Sequence, residues 1–354
     1  MAFTTIDDPS KHFQTHLWTG DGNDDRNITF DGNSDMQPDL FVFNRRPVAA
    51  SVSWVDSTRG VTAELFPGSS DAETTVTNRF QAFQSDGFQA GTNNDINATS
   101  NNTYISWAWK ANGGTTTTND ASATSVGSID SVYQANTTAG FSIVTYTGAG
   151  GNQTIAHGLG AIPTVMFIKR RDDAGDWTIY TATQGNEKFL RFNANNALGD
   201  QATYFNDTTP TSTVFTVGSA GDVNTSSGTH VAYCFTDIQG YSKFGNYTGN
   251  GNTGGPFIYL GFKHALIIVK ATDADNWRMY DHKRAKGHNV INVRITADTN
   301  SAESQDDNEC DFLSNGVKFR SSSGGVNSSG QEYTYMAWAE HPFVSSAGVP
   351  VTAE

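Results

Sequence analysis

Apolar stretches of about four to eight residues, alternating or rich in β-branched and aromatic side chains, recur along the chain between polar, glycine-rich segments. "PDLFVFN" from Pro38, "TYISWAWK" from Thr103, "PTVMFIK" from Pro163, "THVAYCF" from Thr229, "HALIIVK" from His264 and "EYTYMAWAE" from Glu332 are the strongest. Each is too short for an amphipathic helix, and segments such as "GNGNTGGP" and "SSGGVNSSG" between them read as turns. The pattern predicts antiparallel strands at spacings of roughly 8 to 12 residues, as in a sandwich or jelly roll.

The strands come in a repeating order. Trp18-Thr19-Gly20, Tyr146-Thr147-Gly148 and Tyr247-Thr248-Gly249 each precede an apolar strand, then a segment that sets Trp54, Trp177 and Trp277 at matching positions, and finally a closing aromatic strand. The distance from the glycine to an asparagine just before the closing strand is 77, 76 and 78 residues, from Gly20 to Asn97, Gly148 to Asn224 and Gly249 to Asn327. The first and third copies also share Asp-x-x-Arg, Asp56 to Arg59 and Asp281 to Arg284, which the middle copy lacks. These spacings predict an all-β chain of three tandem antiparallel β-sandwich, jelly-roll-like repeats of about 100 residues. The repeats are expected at 1–114, 139–239 and 240–354, with 115–138 as a linker because "GGTTTTNDASATSVGSIDS" has no apolar periodicity. The second and third repeats adjoin directly and are expected to pack rigidly.

Composition narrows the function. The formal charge of −14, from 36 acidic and 22 basic residues, opposes a phosphate backbone, so nucleic acid is not an expected partner. No stretch approaches the roughly 18 apolar residues of a membrane span, and "MAFTTIDDPSKHF" lacks the charged and apolar regions of a signal peptide. A soluble chain without export signal is expected, and the Asn-x-Ser/Thr triplets are not read as glycan sites. Cys234 and Cys310 lie in no metal or disulfide pattern and are expected to be reduced.

No sequence signature of catalysis stands out: GxSxG, HExxH, a P-loop and GxGxxG are all missing, and the eight histidines are scattered. The chain is therefore expected not to be an enzyme and to need no cofactor. "DGNDD" sets Asp21, Asn23 and Asp25 at alternate positions, as calcium loops do, but no glutamate follows at the EF-hand distance, and a solvated hairpin loop is the preferred reading. Trp54, Trp177, Trp277, Tyr180 and Tyr280 could stack on sugar rings, yet their repetition makes them core anchors. The Asp-x-x-Arg pairs read as salt bridges or caps. The most divergent segments, near Asp21, Asp200 and Asp306, are polar and read as exposed loops.

The stretches "MQPDLFVFNRR", "DSTRG", "FQSDGFQAG", "TYISWAWKANGG", "NTTAGFSIVTYTGAGGNQTIAHGLGAIP", "HVAYCFTDIQGYSKFGNYTGNG", "PFIYLGF", "FLSNGVKF" and "YMAWAEHPF" together resemble virion structural proteins of tailed phages of marine bacteria, often labelled tail-fibre-like. The resemblance covers nearly the whole chain. It implies assembly in the host cytoplasm and a place on the virion exterior among other virion proteins, as a tail-fibre-like appendage for host attachment or as a head decoration protein, with a polysaccharide depolymerase as a distant third. A homotrimer and contact with host surface polysaccharide are the corresponding expectations.

Overall fold

The computed structural model describes residues 3–99, 102–285 and 289–351, and of 306–308 the backbone alone, so His288 and the side chain of Asp306 lie outside the described residues. The fold is all-β: each helix among the described residues is a single turn, and the strands form antiparallel sheets. Three main sheets order their strands alike. In each, a closing strand (Thr103–Trp109, Thr229–Phe235 or Glu332–Pro342) lies between an opening strand (Phe13–Thr19, Phe141–Thr147 or Ser242–Thr248) and a second strand (Leu40–Arg45, Val165–Arg170 or Phe262–Ala271). The next strand across is Ser53–Asp56, Thr178–Thr181 or Arg278–Asp281. The closing and second strands bury residues on both faces of the pleat.

One face of each main sheet enters a single core shared by all three. Ile105, Trp107 and Trp109 from the first closing strand, Val231, Tyr233 and Phe235 from the second, and Met336 and Trp338 from the third meet there. At the end of these strands Trp109, Phe235 and Trp338 form a ring trio with centroids 5.1 to 6.1 Å apart. The opposite faces of the first two sheets carry separate apolar clusters beneath small sheets: strands Arg26–Ile28, Gly87–Ala90 and Phe80–Gln84 over the first, and Gln153–Ala156 with Val214–Val217 over the second. Each of the first two sheets is thus half of a sandwich outside and one wall of a common core inside.

Residues 115–138, read as a linker, are structured. They contain Thr117–Asn119, the helical turn Ala121–Thr124 and the strand Ser131–Asn136, which pairs with residues 141–146 of the opening strand Phe141–Thr147. The Ser/Thr-rich run masked the alternation of "SVYQAN". The segment near Asp306, read as a loop, is the strand Ser304–Leu313, paired with Ile291–Thr296 and Gly316–Phe319. Gly199–Asp200 is a two-residue strand.

The tryptophans need one correction. Registers against the second strand align Asp56, Thr181 and Asp281, which places Trp54 level with Ile179 and Met279, and Val52 level with Trp177 and Trp277. The two positions differ by two residues and so share a face, and an aromatic at either fills the common core. Trp177 donates its indole N–H to Phe66 O at 3.2 Å and Trp277 to Arg191 O at 2.7 Å, each reaching the neighbouring sheet. All three tryptophans are buried, at seams between sheets rather than inside one. Trp177→Ala and Trp277→Ala are each expected to cost about 3–5 kcal/mol; an unchanged urea midpoint for either would contradict its placement at a seam.

Candidate functional site

The aromatic-Thr-Gly stretches build a recurrent latch at one end of each sheet. Its aromatic member sends its polar tip to the backbone of a one-turn helix: Trp18 Nε1 to Ile96 O at 2.8 Å, Tyr146 Oη to Val223 O at 2.7 Å and Tyr247 Oη to Val326 O at 2.7 Å. The next residue of each helix is the repeated asparagine, and Asn97, Asn224 and Asn327 are fully buried. Their side chains take both roles with the loop after the glycine. Asn97 accepts from Asp21 N and donates to Asn23 O, Asn224 accepts from Ala149 N and donates to Gly151 O, and Asn327 accepts from Asn250 N and donates to Asn252 O. A carboxylate could not donate and a leucine could do neither, so the loop backbone requires an amide there.

The glycine is needed for close approach. A Cβ on Gly20, Gly148 or Gly249 would lie 2.4, 2.3 or 2.2 Å from the carbonyl oxygen of Ala98, Thr225 or Ser328. Behind each latch a ring of the closing strand stacks on the aromatic: Tyr104 on Trp18, His230 on Tyr146 and Tyr333 on Tyr247, at 5.3, 5.1 and 4.9 Å. The three loops thus project from rigid bases with their tips, among them Asn23 to Asp25, Asn152 and Asn252 to Gly254, exposed.

Of the proposed calcium residues, Asp21 accepts Asn23 N at 2.9 Å and pairs with Arg26 Nε at 3.3 Å. Arg26 also donates to Asn97 Oδ1. The site of a cation is thus held by the protein's own guanidinium, and among the described residues no group of three His, Cys, Asp or Glu side chains could hold a metal ion. Tyr180 is buried in the second sheet's outer cluster against Phe205, and Tyr280 is buried and hydrogen-bonds Glu309. None of the five aromatics offers a sugar-stacking face.

The Asp-x-x-Arg pairs belong to seams. Arg59, wholly buried, reaches Asp56 at 2.5 Å and Glu73 at 2.7 Å; Glu73 then meets Arg171 of the second sheet at 2.8 Å, and Tyr233 Oη donates to Asp56. The same set recurs where the third sheet meets the first. Arg284 reaches Asp281 at 2.5 Å and Glu303 at 3.2 Å, Arg46 meets Glu303 at 2.9 Å, and Trp107 donates to Asp281. Backbone bonds from Glu73 N to Arg171 O, Glu303 N to Arg46 O and Leu198 N to Thr272 O mark equivalent points on three seams, so the sheets close on one another in a ring. At the seam of second with third sheet, Thr181, Gln184, Leu198 and Thr272 replace the charged set.

Three buried histidines are held in the fold. His157 Nε2 is 3.2 Å from Thr211 O, and its Nδ1 accepts from Leu159 N; burial holds its pKa down to about 4. Burial likewise lowers His230 to about 4 and His264 to about 3. Lys169 and Lys270, lowered to about 8 by burial, donate to loop carbonyls at Ser70 and Arg170, and at Ala271 and Asp273. These are structural ties.

Two of the concavities among the described residues lie against the third sheet. One, of about 130 Å³, lies at the seam of first and third sheets among Gln14, Asp31, His282, Lys283, Glu340 and His341, where Lys283 bonds Asp31 at 2.8 Å. The other, of about 390 Å³, lies beside the third opening strand among Phe3, Gln239, Lys243, Tyr259, Gly261 and Phe343. Sequence reasoning missed it; its one sequence trace is "FIY", in which Phe257 and Tyr259 are exposed on either side of buried Ile258.

The chain belongs to a family described as a domain of unknown function, DUF7483, whose model matches residues 8–342. That span begins just before the first opening strand and ends with the last closing strand, so the family unit is the whole ring of three sheets. No curated protein and no solved structure matches the chain.

Proposed function

We propose that this chain is a non-enzymatic structural protein of a tailed-phage virion exterior, a tail-fibre-like appendage that meets the host surface through its three latched loops. The observation that carries this reading is the latch itself: a buried asparagine, a close-packed glycine and an aromatic fix the base of each loop, while the polar tips stay exposed to solvent. The sequence resemblance supplies the setting. Contacts would be polar and multivalent, as suits a surface polysaccharide. The charged groups at the seams are consumed by one another, which fits a scaffold.

The second reading, a head decoration protein, draws on the N- and C-terminal segments. Asp7 Oδ1 accepts Ser346 N at 2.7 Å, tying the two segments together, and Phe3, Val349 and Val351 stand exposed. Such apolar residues suit seating on a lattice. Homotrimerisation belongs to both readings through the resemblance; within one chain, three sheets already enclose a common core.

Equal-length Gly-Ser replacement of tips 23–25, 150–152 and 251–253 retains the backbone acceptors of the asparagines and removes the tip side chains. In the phage, normal particle assembly with at least about tenfold lower host adsorption is the expected result. Unchanged adsorption of normally assembled particles rejects host contact through the loops.

A further inference from the structure

The three opening strands are alike in their pairing with the closing strands but differ at their outer edges. In the second sheet the edge of Phe141–Thr147 is covered by the strand Ser131–Asn136. That strand also closes the mouth of the sandwich: Ser131 Oγ donates to Ala156 O, and the Tyr133 ring lies where a Cβ on Gly158 would be 2.2 Å away. In the first sheet the segment around Asp31 serves this purpose, with Gln14 bonding Gly32 N and Ser34 O and His16 facing Asp31. Among the described residues no strand pairs with the outer edge of Ser242–Thr248.

Registers define what is missing. Trp338 and Phe235 occupy the same place in their closing strands, so Ser242 corresponds to Phe141, Phe244 to Ile143 and Asn246 to Thr145. In the small sheets buried Ile258 corresponds to Ile155, hence Tyr259 to Ala156 and Gly261 to Gly158, both glycines at positive φ. Over Gly158 stands Tyr133; near Gly261 the closest atom to an added Cβ is Tyr259 Oη at 3.7 Å, and the 390 Å³ concavity opens there. The carbonyl that Ser131 satisfies in the second sheet, Ala156 O, has its counterpart in Tyr259 O, which instead receives Lys243 Nζ at 2.6 Å. Ser242 is paired with Ile238, and the outward N–H of Phe244 is capped by the Asp237 carboxylate at 3.0 Å. Side chains thus stand in for an absent strand.

We infer that this edge is an acceptor site for an extended segment of a different protein, which adds antiparallel to residues 244–248 as Ser131–Asn136 adds to the second opening strand, and seats an aromatic side chain over Gly261 between Tyr259 and Phe3. Addition to a sheet edge supplies main-chain hydrogen bonds for affinity and a side-chain pocket for selectivity. The incoming carbonyl takes over Phe244 N from Asp237. Exposed Phe257, Tyr259 and Phe3 become the apolar rim of the joint. This surface is distinct from the latched loops, and it would join the chain to a neighbouring protein in either reading of its place on a particle.

The probe is a fluorescent peptide of residues 129–138, "IDSVYQANTT", titrated against the full chain by anisotropy. Saturable binding is expected, weakened at least about tenfold when the peptide tyrosine is replaced by alanine. Asn246→Pro in the protein should weaken it similarly, because it removes an outward N–H at an edge position where proline is tolerated. A thermal melt of N246P checks folding, and the peptide variant tests the site even where that protein variant does not fold. Absence of saturable binding, or binding indifferent to both changes, overturns the inference. So does a concentration-dependent dimer that N246P abolishes while peptide fails to compete, since the occupant would then be a second copy. Loss of peptide binding with intact host adsorption would separate this site from the loop reading.

Discussion

Arg59→Met is expected to lower stability by about 3–5 kcal/mol, the cost of removing one partner from a buried ionic set. The Arg59 guanidinium is wholly buried and bonds Asp56, Glu73, Trp54 O and Tyr233 Oη. Without it the buried Asp56 carboxylate keeps only neutral donors, Tyr233 Oη and the backbone N–H groups of residues 58 and 59, among the described residues, while the partly exposed Glu73 keeps Arg171. The molecule contains its own control. At the seam of the second and third sheets the corresponding positions are Thr181, Gln184, Leu198, Thr272 and Met336, an uncharged set that closes the same joint. Transferring that set, as Asp56→Thr, Arg59→Gln, Glu73→Leu, Arg171→Thr and Tyr233→Met together, is expected to stay within about 1.5 kcal/mol of the parent, because a buried ion cluster and a well-packed neutral one are nearly equivalent. Urea denaturation of the single and fivefold variants decides it. A fivefold variant less stable than Arg59→Met would show that the seams are not interchangeable.

That coupling explains what the sequence revealed and what it hid. The absence of Asp-x-x-Arg from the middle copy is visible in the chain, but its partners, Glu73, Arg171 and Tyr233, lie 14 to 177 residues from Asp56 or Arg59 and belong partly to the next sheet. Only folding brings them together. Strands were legible because alternation and turn residues are local signals, as in "TYISWAWK" and "GNGNTGGP". The repeated glycine and asparagine were legible as a spacing, whereas their purpose, an amide side chain satisfying a loop backbone, arises only where the folded chain brings helix and loop together. Trp54 was aligned with Trp177 by residue type and is displaced by one pleat repeat, since two positions on one strand face supply the same contact. Ser131–Asn136 was concealed by its Ser/Thr-rich approach, and with it the comparison that exposes the bare edge of the third sheet.

His264→Leu is expected to make the chain markedly more resistant to acid. His264 sits at an irregularity in the second strand of the third sheet, fully buried, its ring centroid 3.6 Å from that of Phe312, and among the described residues neither ring nitrogen has a hydrogen-bond partner. Burial, with His282 and Lys263 adding to it, holds its pKa down to about 3. An unfolded chain returns it to about 6.5. The folded pKa is the lower one, so between pH 6.5 and 3 the unfolded state binds the extra proton and stability falls as pH falls. From pH 7 to pH 4 the parent should therefore lose about 3 kcal/mol more than the variant. At pH 7 both side chains are neutral, and replacing an imidazole with no polar partner by an apolar group of similar size should cost little. His157 and His230 act in the same direction in both proteins. Asp298, pushed up to about 6 by burial, acts oppositely: its folded pKa is the higher one, so its burial penalty is relieved as pH falls. Taking the difference between parent and variant cancels all three. Urea midpoints of the two proteins that fall in parallel from pH 7 to pH 4 would show that His264 takes up its proton without unfolding.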